Sequence, residues 1–186
     1  MAQLSQRRIV VVEYDSSWPL TFANLQAPIL EALRDVALAV EHVGSTSVPG
    51  LAAKPIIDID VVLATRTELP VTIGRLASLG YVHRGNLGIE DREAFENPPH
   101  LPPHHLYVCV QGSAALQNHL SVRDYLRRTP AAVTVYGRLK KDLAEKFPTD
   151  IDSYVEGKTD FLLDVLRAAG FSDGVLEDIR AANRKK

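Results

Sequence analysis

The stretch Val43-Gly44-Ser45-Thr46-Ser47-Val48-Pro49-Gly50-Leu51-Ala52-Ala53-Lys54-Pro55-Ile56-Ile57-Asp58-Ile59-Asp60-Val61-Val62 decides how this chain is read. Residues 40–43 and 56–63 are short runs rich in β-branched side chains, and Gly44, Pro49, Gly50 and Pro55 punctuate the interval between them. The pattern predicts a strand, a small-residue loop and a second strand that carries two acids.

Each part of the stretch points to chemistry. Small residues let backbone N–H groups approach an anion, and the hydroxyls of Ser45, Thr46 and Ser47 add donors, so phosphate is a sensible ligand for the loop. Lys54 supplies a positive charge. In the second strand Asp58 and Asp60 are two residues apart and share a face, while Ile57, Ile59 and Val61 point the other way. Two adjacent carboxylates repel unless a cation lies between them. Hard oxygen ligands of this kind suit Mg²⁺ or Mn²⁺, with substrate phosphates completing the shell. That is the logic of metal-assisted phosphoryl or nucleotidyl transfer. Spacing alone is equally compatible with acids that make caps or surface ion pairs and serines that only form turns.

Working outward, 186 residues suffice for one core with a helical appendage, and 46% hydrophobic and 24% charged residues describe an ordinary globular chain. A net charge of −2 gives no global attraction to nucleic acid or anionic membrane, which leaves a small phosphorylated ligand as the expected partner. Cys109 has no cysteine to pair with, which fits a cytoplasmic setting. The apolar run after Arg7 and Arg8 is too short for a signal sequence, and no stretch is long enough to span a bilayer. The sequence does not fix an oligomeric state.

Residues 8–14 read as a first strand. Phe22, Leu25, Ile29, Leu33 and Val36 mark an amphipathic helix that Pro28 is expected to kink or divide. A further helix is expected over 67–79, stopped by Gly80, followed by a strand from Tyr81 and a long loop or irregular hairpin over 84–105. His100, His104 and His105 in that loop raise a zinc reading, although no cysteine joins them. Helices are expected at 113–128, 131–147, 150–169 and 173–184, with Arg184-Lys185-Lys186 as a fraying basic tail. Tyr136 with Lys140, and Tyr154 with Lys158, each share a helical face. With Arg123 and Arg127 these faces are candidates to line the far side of a nucleotide cleft; the alternative is that the tyrosines pack and the lysines are solvated.

The run from His42 to Leu51, followed by Lys54-Pro55-Ile56-Ile57-Asp58-Ile59, closely resembles the signature of the GrpB family. The likeness extends to Tyr14 and Trp18-Pro19, to Gly88 with Arg92 and Phe95, to Arg123-Asp124-Tyr125-Leu126, to Tyr136 with Leu139-Lys140, and to Tyr154 with Lys158 and Phe161. This resemblance implies the nucleotidyltransferase superfamily with its polymerase-β-like fold, and a family in which relatives are fused to a dephospho-CoA kinase domain. In that superfamily a Gly-Ser turn holds the triphosphate and a following strand supplies two metal-binding acids; Gly44-Ser45 and Asp58-Ile59-Asp60 look like those elements. A third acid normally comes from a later neighbouring strand, and residues 105–110 contain none. His105 stands there as a candidate base, with the loop acids Glu90 and Glu93 as substitutes.

These readings together predict an α/β (α+β) protein. A small mixed sheet flanked by helices occupies residues 1–112, and a helical part, 113–186, packs on it as one unit. The expected activity is a Mg²⁺- or Mn²⁺-dependent nucleotidyltransferase acting on a nucleoside triphosphate, in which Gly44, Ser45, Thr46, Ser47 and Lys54 cradle phosphates. Asp58 and Asp60 bind the metal, Arg92, Lys140 and Lys158 neutralise pyrophosphate, and His105 is the base. The alternative is a binding module of the same fold that holds a nucleotide or CoA precursor without turnover.

Overall fold

The computed structural model of the chain describes residues 8–183, so Arg7 and the expected tail Arg184-Lys185-Lys186 lie outside the described residues. Five strands, β1 Ala37–Val43, β2 Ile57–Leu63, β3 Val82–Gly85, β4 Arg92–Glu96 and β5 His104–Val110, form one mixed sheet in the order β1-β2-β5-β4-β3. β2 and β5 run parallel, and the other neighbours are antiparallel. Around them lie α1 Trp18–Leu33, α2 Leu69–Ser78, α3 Ala114–Arg128, α4 Pro130–Lys146, α5 Ile151–Glu156, α6 Thr159–Ala168 and α7 Asp173–Asn183.

The two faces of the sheet follow from the alternation in β2. Ile57, Ile59, Val61 and Leu63 are buried on one face with Leu106 and Val108 of β5, against Leu25, Ile29 and Leu33 of α1 and Leu76 of α2. Burying each such side chain contributes roughly 1.5–3 kcal/mol, so this face is the main store of stability. The opposite face carries Asp58, Asp60 and Val62, which pair in register with His105, Tyr107 and Cys109. Leu116 of α3 packs on Val62 and Cys109 and covers one end of that face. The other end stays free for chemistry.

Three local expectations are corrected and one alternative is set aside. Residues 8–14 do not form a strand: Val12 makes a single bridge to Ala53, and the Ile9 N–H donates to the Pro148 carbonyl at 2.7 Å. Ala53 itself lies in a loop, so no ladder exists for the segment to extend. Pro28 does not divide α1, which runs unbroken because the buried stripe Leu25, Ile29 and Leu33 continues across it. The helix expected over 150–169 is broken into α5 and α6 at Gly157. A Cβ there would lie 2.4 Å from Leu143 Cδ2, so any larger residue would have to displace the Leu143 side chain of α4. Finally, the zinc reading fails on geometry. The ring of His104 is buried between the Tyr81 hydroxyl at 2.9 Å and the Pro102 carbonyl at 2.7 Å, while His105 turns to Asp58.

The expected loop over 84–105 is the irregular hairpin: β3 and β4 pair through it, with Leu87 and Asp91 at positive φ in the turn. Among the described residues no helix is long and apolar enough to cross a membrane.

Candidate functional site

The site is built on the turn between β1 and β2. Gly44 has φ 68° and ψ −171°, a conformation open essentially to glycine alone, and a Cβ there would lie 2.1 Å from Asp58 Oδ2. Glycine therefore lets the turn press against the first acid. The next three residues make one turn of 3₁₀ helix. Ser47 Oγ donates to the Gly44 carbonyl at 2.6 Å, and Thr46 Oγ1 meets His42 Nε2 at 3.0 Å. His42 stacks on Phe22 with ring centroids 4.5 Å apart; burial pushes its pKa down to about 4, so the ring is neutral. Both Thr46 and Ser47 are buried and hold the turn together. The expectation that three hydroxyls donate to phosphate thus narrows to Ser45.

Arg127 donates from Nε and Nη2 to the Ser47 carbonyl at 3.0 and 2.8 Å, and Arg123 reaches the His42 carbonyl and Glu41. Arg127 thus clamps the turn from α3 and Arg123 clamps the end of β1, with its other donors on Glu41 and Asp124, so neither lines the cleft.

On the other side of Ser45 is a cleft of about 200 Å³ lined by Ser45, Lys54, Asp58, His105, Lys140, Tyr154 and Lys158, with Ile56 at its wall. Lys140 is only 2% exposed and donates to Ser45 Oγ at 2.8 Å. Its ammonium lies 4.5 Å over the Tyr136 ring, and that of Lys158 lies 4.6 Å over the Tyr154 ring. Each helical pair seen in the sequence is thus a lysine seated on its tyrosine, a favourable cation–π contact. The tyrosines pack, at 4% and 1% exposed, yet Lys140 is not solvated. Burial, reinforced by the charges of Lys158 and Lys54, pulls Lys140 down to about 6; burial and Lys54 pull Lys158 down to about 8. Asp58 opposes both shifts. Three lysines share one nearby carboxylate, so an incoming anion draws protons onto Lys140 and Lys158.

The acids sit on one face as expected but in different surroundings. Asp58 Oδ1 accepts from His105 Nδ1 at 2.9 Å at the open cleft. Asp60 is 0% exposed, and its Oδ2 accepts from His119 Nδ1 at 2.7 Å, while Oδ1 has no protein partner. Burial lowers the His119 pKa, and the hydrogen bond and charge of Asp60 overcome this and leave it raised. Beside Asp60 in the sheet, where a third carboxylate is expected, β5 places Tyr107. Of the proposed substitutes, Glu93 is excluded: it is buried on the opposite face with His83 Nε2 at 2.7 Å and Arg66 at 3.3 Å. Glu90 borders a separate cavity.

The structure therefore brings together Ser45, Lys54, Asp58, His105, Lys140 and Lys158, with Gly44 beneath them. It does not bring Arg92 to them. Arg92 lies opposite Cys109 in β4, and its guanidinium stacks 4.5 Å over the Tyr107 ring at the separate cavity. His119 is the residue sequence reasoning missed, for a lone histidine on an amphipathic helix gives no signal.

Comparison with known proteins places this geometry in context. The family described as GrpB protein matches residues 8–168. UPF0157 protein YqkA of Bacillus subtilis is 31% identical over 157 residues, covering 84% of this chain and 46% of the Bacillus protein, so the chain spans about half of that relative. A dephospho-CoA kinase of Mycolicibacterium paratuberculosis is 24% identical over 90% of this chain and 47% of its own length. Among solved structures, the conserved protein GrpB from Enterococcus faecalis superposes with a TM-score of 0.77 at 33% identity, covering 91% of this chain and 98% of that one. The Cid1 poly(U) polymerase, at 14% identity and a TM-score of 0.53 over 82% of this chain and 49% of its own, shares the fold alone. The profile match along most of the chain, with the Enterococcus structure behind it, shows that this protein belongs to the GrpB family and has a nucleotidyltransferase-like fold.

Proposed function

We propose that this protein transfers a nucleotidyl group from a nucleoside triphosphate to an acceptor hydroxyl. The observation that carries the reading is the convergence of Ser45, Lys54, Lys140 and Lys158 on one cleft beside a single open carboxylate, Asp58. A triphosphate supplies the anionic oxygens those cations lack, and the Gly44 turn lets it approach the backbone.

Asp58 and His105 supply the proton chemistry. An ionised carboxylate only accepts, so the 2.9 Å contact fixes the proton on Nδ1 and leaves the Nε2 lone pair of His105 free. The acceptor oxygen forms a bond to the α-phosphorus as its proton passes to Nε2. The bond from that phosphorus to the bridging oxygen breaks, and pyrophosphate departs against Lys140 and Lys158. The acids fit a divalent cation by donor chemistry. Asp58 keeps its second carboxylate oxygen, and Asp60 Oδ1 is buried with no protein partner. Mg²⁺ or Mn²⁺ held by Asp58 and Asp60 would neutralise the triphosphate; among the described residues no cluster of three or more ligands forms a cage, which leaves phosphate and water to complete the shell.

A second reading is favoured by one specific observation: Tyr107 stands where a third carboxylate is expected, and His119 closes Asp60 from solvent. On that reading the cleft holds a nucleotide, or a CoA precursor in view of the dephospho-CoA kinase relative, without turnover. Pyrophosphate release from each nucleoside triphosphate with Mg²⁺ or Mn²⁺, in wild type and Asp58→Asn, separates the two. Transfer predicts release that falls by 100-fold or more in the variant, as expected when the group orienting a catalytic base is lost. Metal-dependent triphosphate binding without release moves the chain to the second reading, and no binding of either ligand type rejects both.

A further inference from the structure

The cavity that holds Arg92 lies on the same sheet face as the cleft, beyond a row of three rings. His105 and Tyr107 have centroids 6.2 Å apart, and Tyr107 and His119 lie 6.1 Å apart. His105 borders the cleft and His119 borders the cavity, so the row connects them. At about 470 Å³ the cavity is large enough for a small organic molecule.

Its charges are arranged by depth. Arg92 is half-buried, its Nε is buried with no hydrogen-bond partner, and among the described residues no carboxylate pairs with it. A guanidinium fixed over a tyrosine ring presents a planar fork of donors suited to a carboxylate. Asn118 borders the same space. At the rim stand two exposed acids, Glu90 from the β3–β4 turn and Asp178 from α7. Acids at the mouth disfavour a multiply charged phosphate, and they suit an ammonium. Ile89 and Ile179 add apolar wall, and His119 also borders the cavity, its charge matched by Asp60 through Nδ1.

We infer that this cavity is a second ligand site for a small zwitterion of the amino-acid class, its carboxylate on Arg92 and its ammonium between Glu90 and Asp178. On the nucleotidyl-transfer reading of the neighbouring cleft, this molecule is the amino-acid part of an acceptor whose hydroxyl lies in that cleft. The site itself does not need that reading. It also reassigns Arg92 from the leaving group to the second ligand.

The test is calorimetric titration of the full chain with free aliphatic and aromatic L-amino acids, each beside its deaminated acid and its decarboxylated amine. The expected result is saturable binding of at least one amino acid, weakened tenfold or more in both stripped analogues. Arg92→Gln should weaken the amino acid tenfold or more while triphosphate binding in the cleft persists. Glu90→Gln with Asp178→Asn, both at exposed positions, should weaken the amino acid and leave the deaminated acid unchanged. Absence of amino-acid binding to the wild type, or binding indifferent to both variants, overturns the inference. Amino-acid binding in a chain that binds no triphosphate keeps this site and removes the proposed transfer.

Discussion

Asp58 and Asp60 leave the same face of β2 two residues apart, yet they belong to different regions of the molecule. Asp58 opens on the lysine cleft and meets a half-exposed histidine; Asp60 is sealed under α3 and meets a mostly buried one. Identical chemistry at adjacent face positions thus yields one group open to the cleft and another that the fold holds through Oδ2, with only its buried Oδ1 left for a cation. Strand parity determines which face an acid takes, and the element packed on that face determines what the acid does.

The largest effect that sharpens this contrast is expected at the sealed end. Asp60→Ala removes a fully buried carboxylate and leaves the Nδ1–H of His119 without its acceptor. Breaking one side of such a buried pair should cost about 3 kcal/mol, read as a lowered midpoint in urea unfolding at constant m. Asp58→Asn, at the open end, should change stability by less than about 1 kcal/mol. Equal losses at the two positions would remove the distinction between them.

Much of the framework was legible in the sequence because buried strands and amphipathic helices print their periods. The runs at 40–43 and 56–63, the stripe Leu25, Ile29 and Leu33, and the helical face of Lys140 all occupy the elements expected of them, while Lys158 falls in the break between α5 and α6. Long-range placement was not legible. His119 reaches Asp60 from 59 positions away through the rotation of α3, which no local pattern records. Arg92 matched a family motif, but its register opposite Cys109 carries it past Tyr107 and away from the lysines. Thr46 and Ser47 look like donors in any small-residue loop; only the positions of His42 and the Gly44 carbonyl reveal that their hydroxyls are already engaged.

A smaller effect is expected where the two regions meet the turn. Gly44→Ala places a methyl group against Asp58 Oδ2 and forces an L-residue into a backbone conformation it rarely adopts. The cost should be about 2–3 kcal/mol, and relaxation must displace either the turn or the Asp58 carboxylate. Triphosphate binding should therefore fall together with thermal stability. A variant that keeps full affinity would show that Asp58 is not part of the phosphate cleft.

The last expected change has the opposite sign. Lys140 is a buried base whose pKa falls from its ordinary value to about 6, so the folded state disfavours its proton while the unfolded chain binds it up to about pH 10. Between those limits unfolding takes up a proton, and stability rises with pH; below pH 6 both states are protonated and the penalty is complete. Lys140→Met retains the bulk over Tyr136 and removes the charge. At pH 7, after the lost contacts to Ser45 and Tyr136 are offset, it should stabilise the unliganded chain by at least about 1 kcal/mol, a rise of roughly 2–4 °C or more in Tm, and the gain should shrink as pH approaches 10. Phosphate and triphosphate should meanwhile lose affinity. Such a result would identify the lysine cleft as a region whose stability is sacrificed to ligand binding, beside an Asp60–His119 pair that serves the fold; a destabilised Lys140→Met protein with unchanged affinity would assign Lys140 to the core.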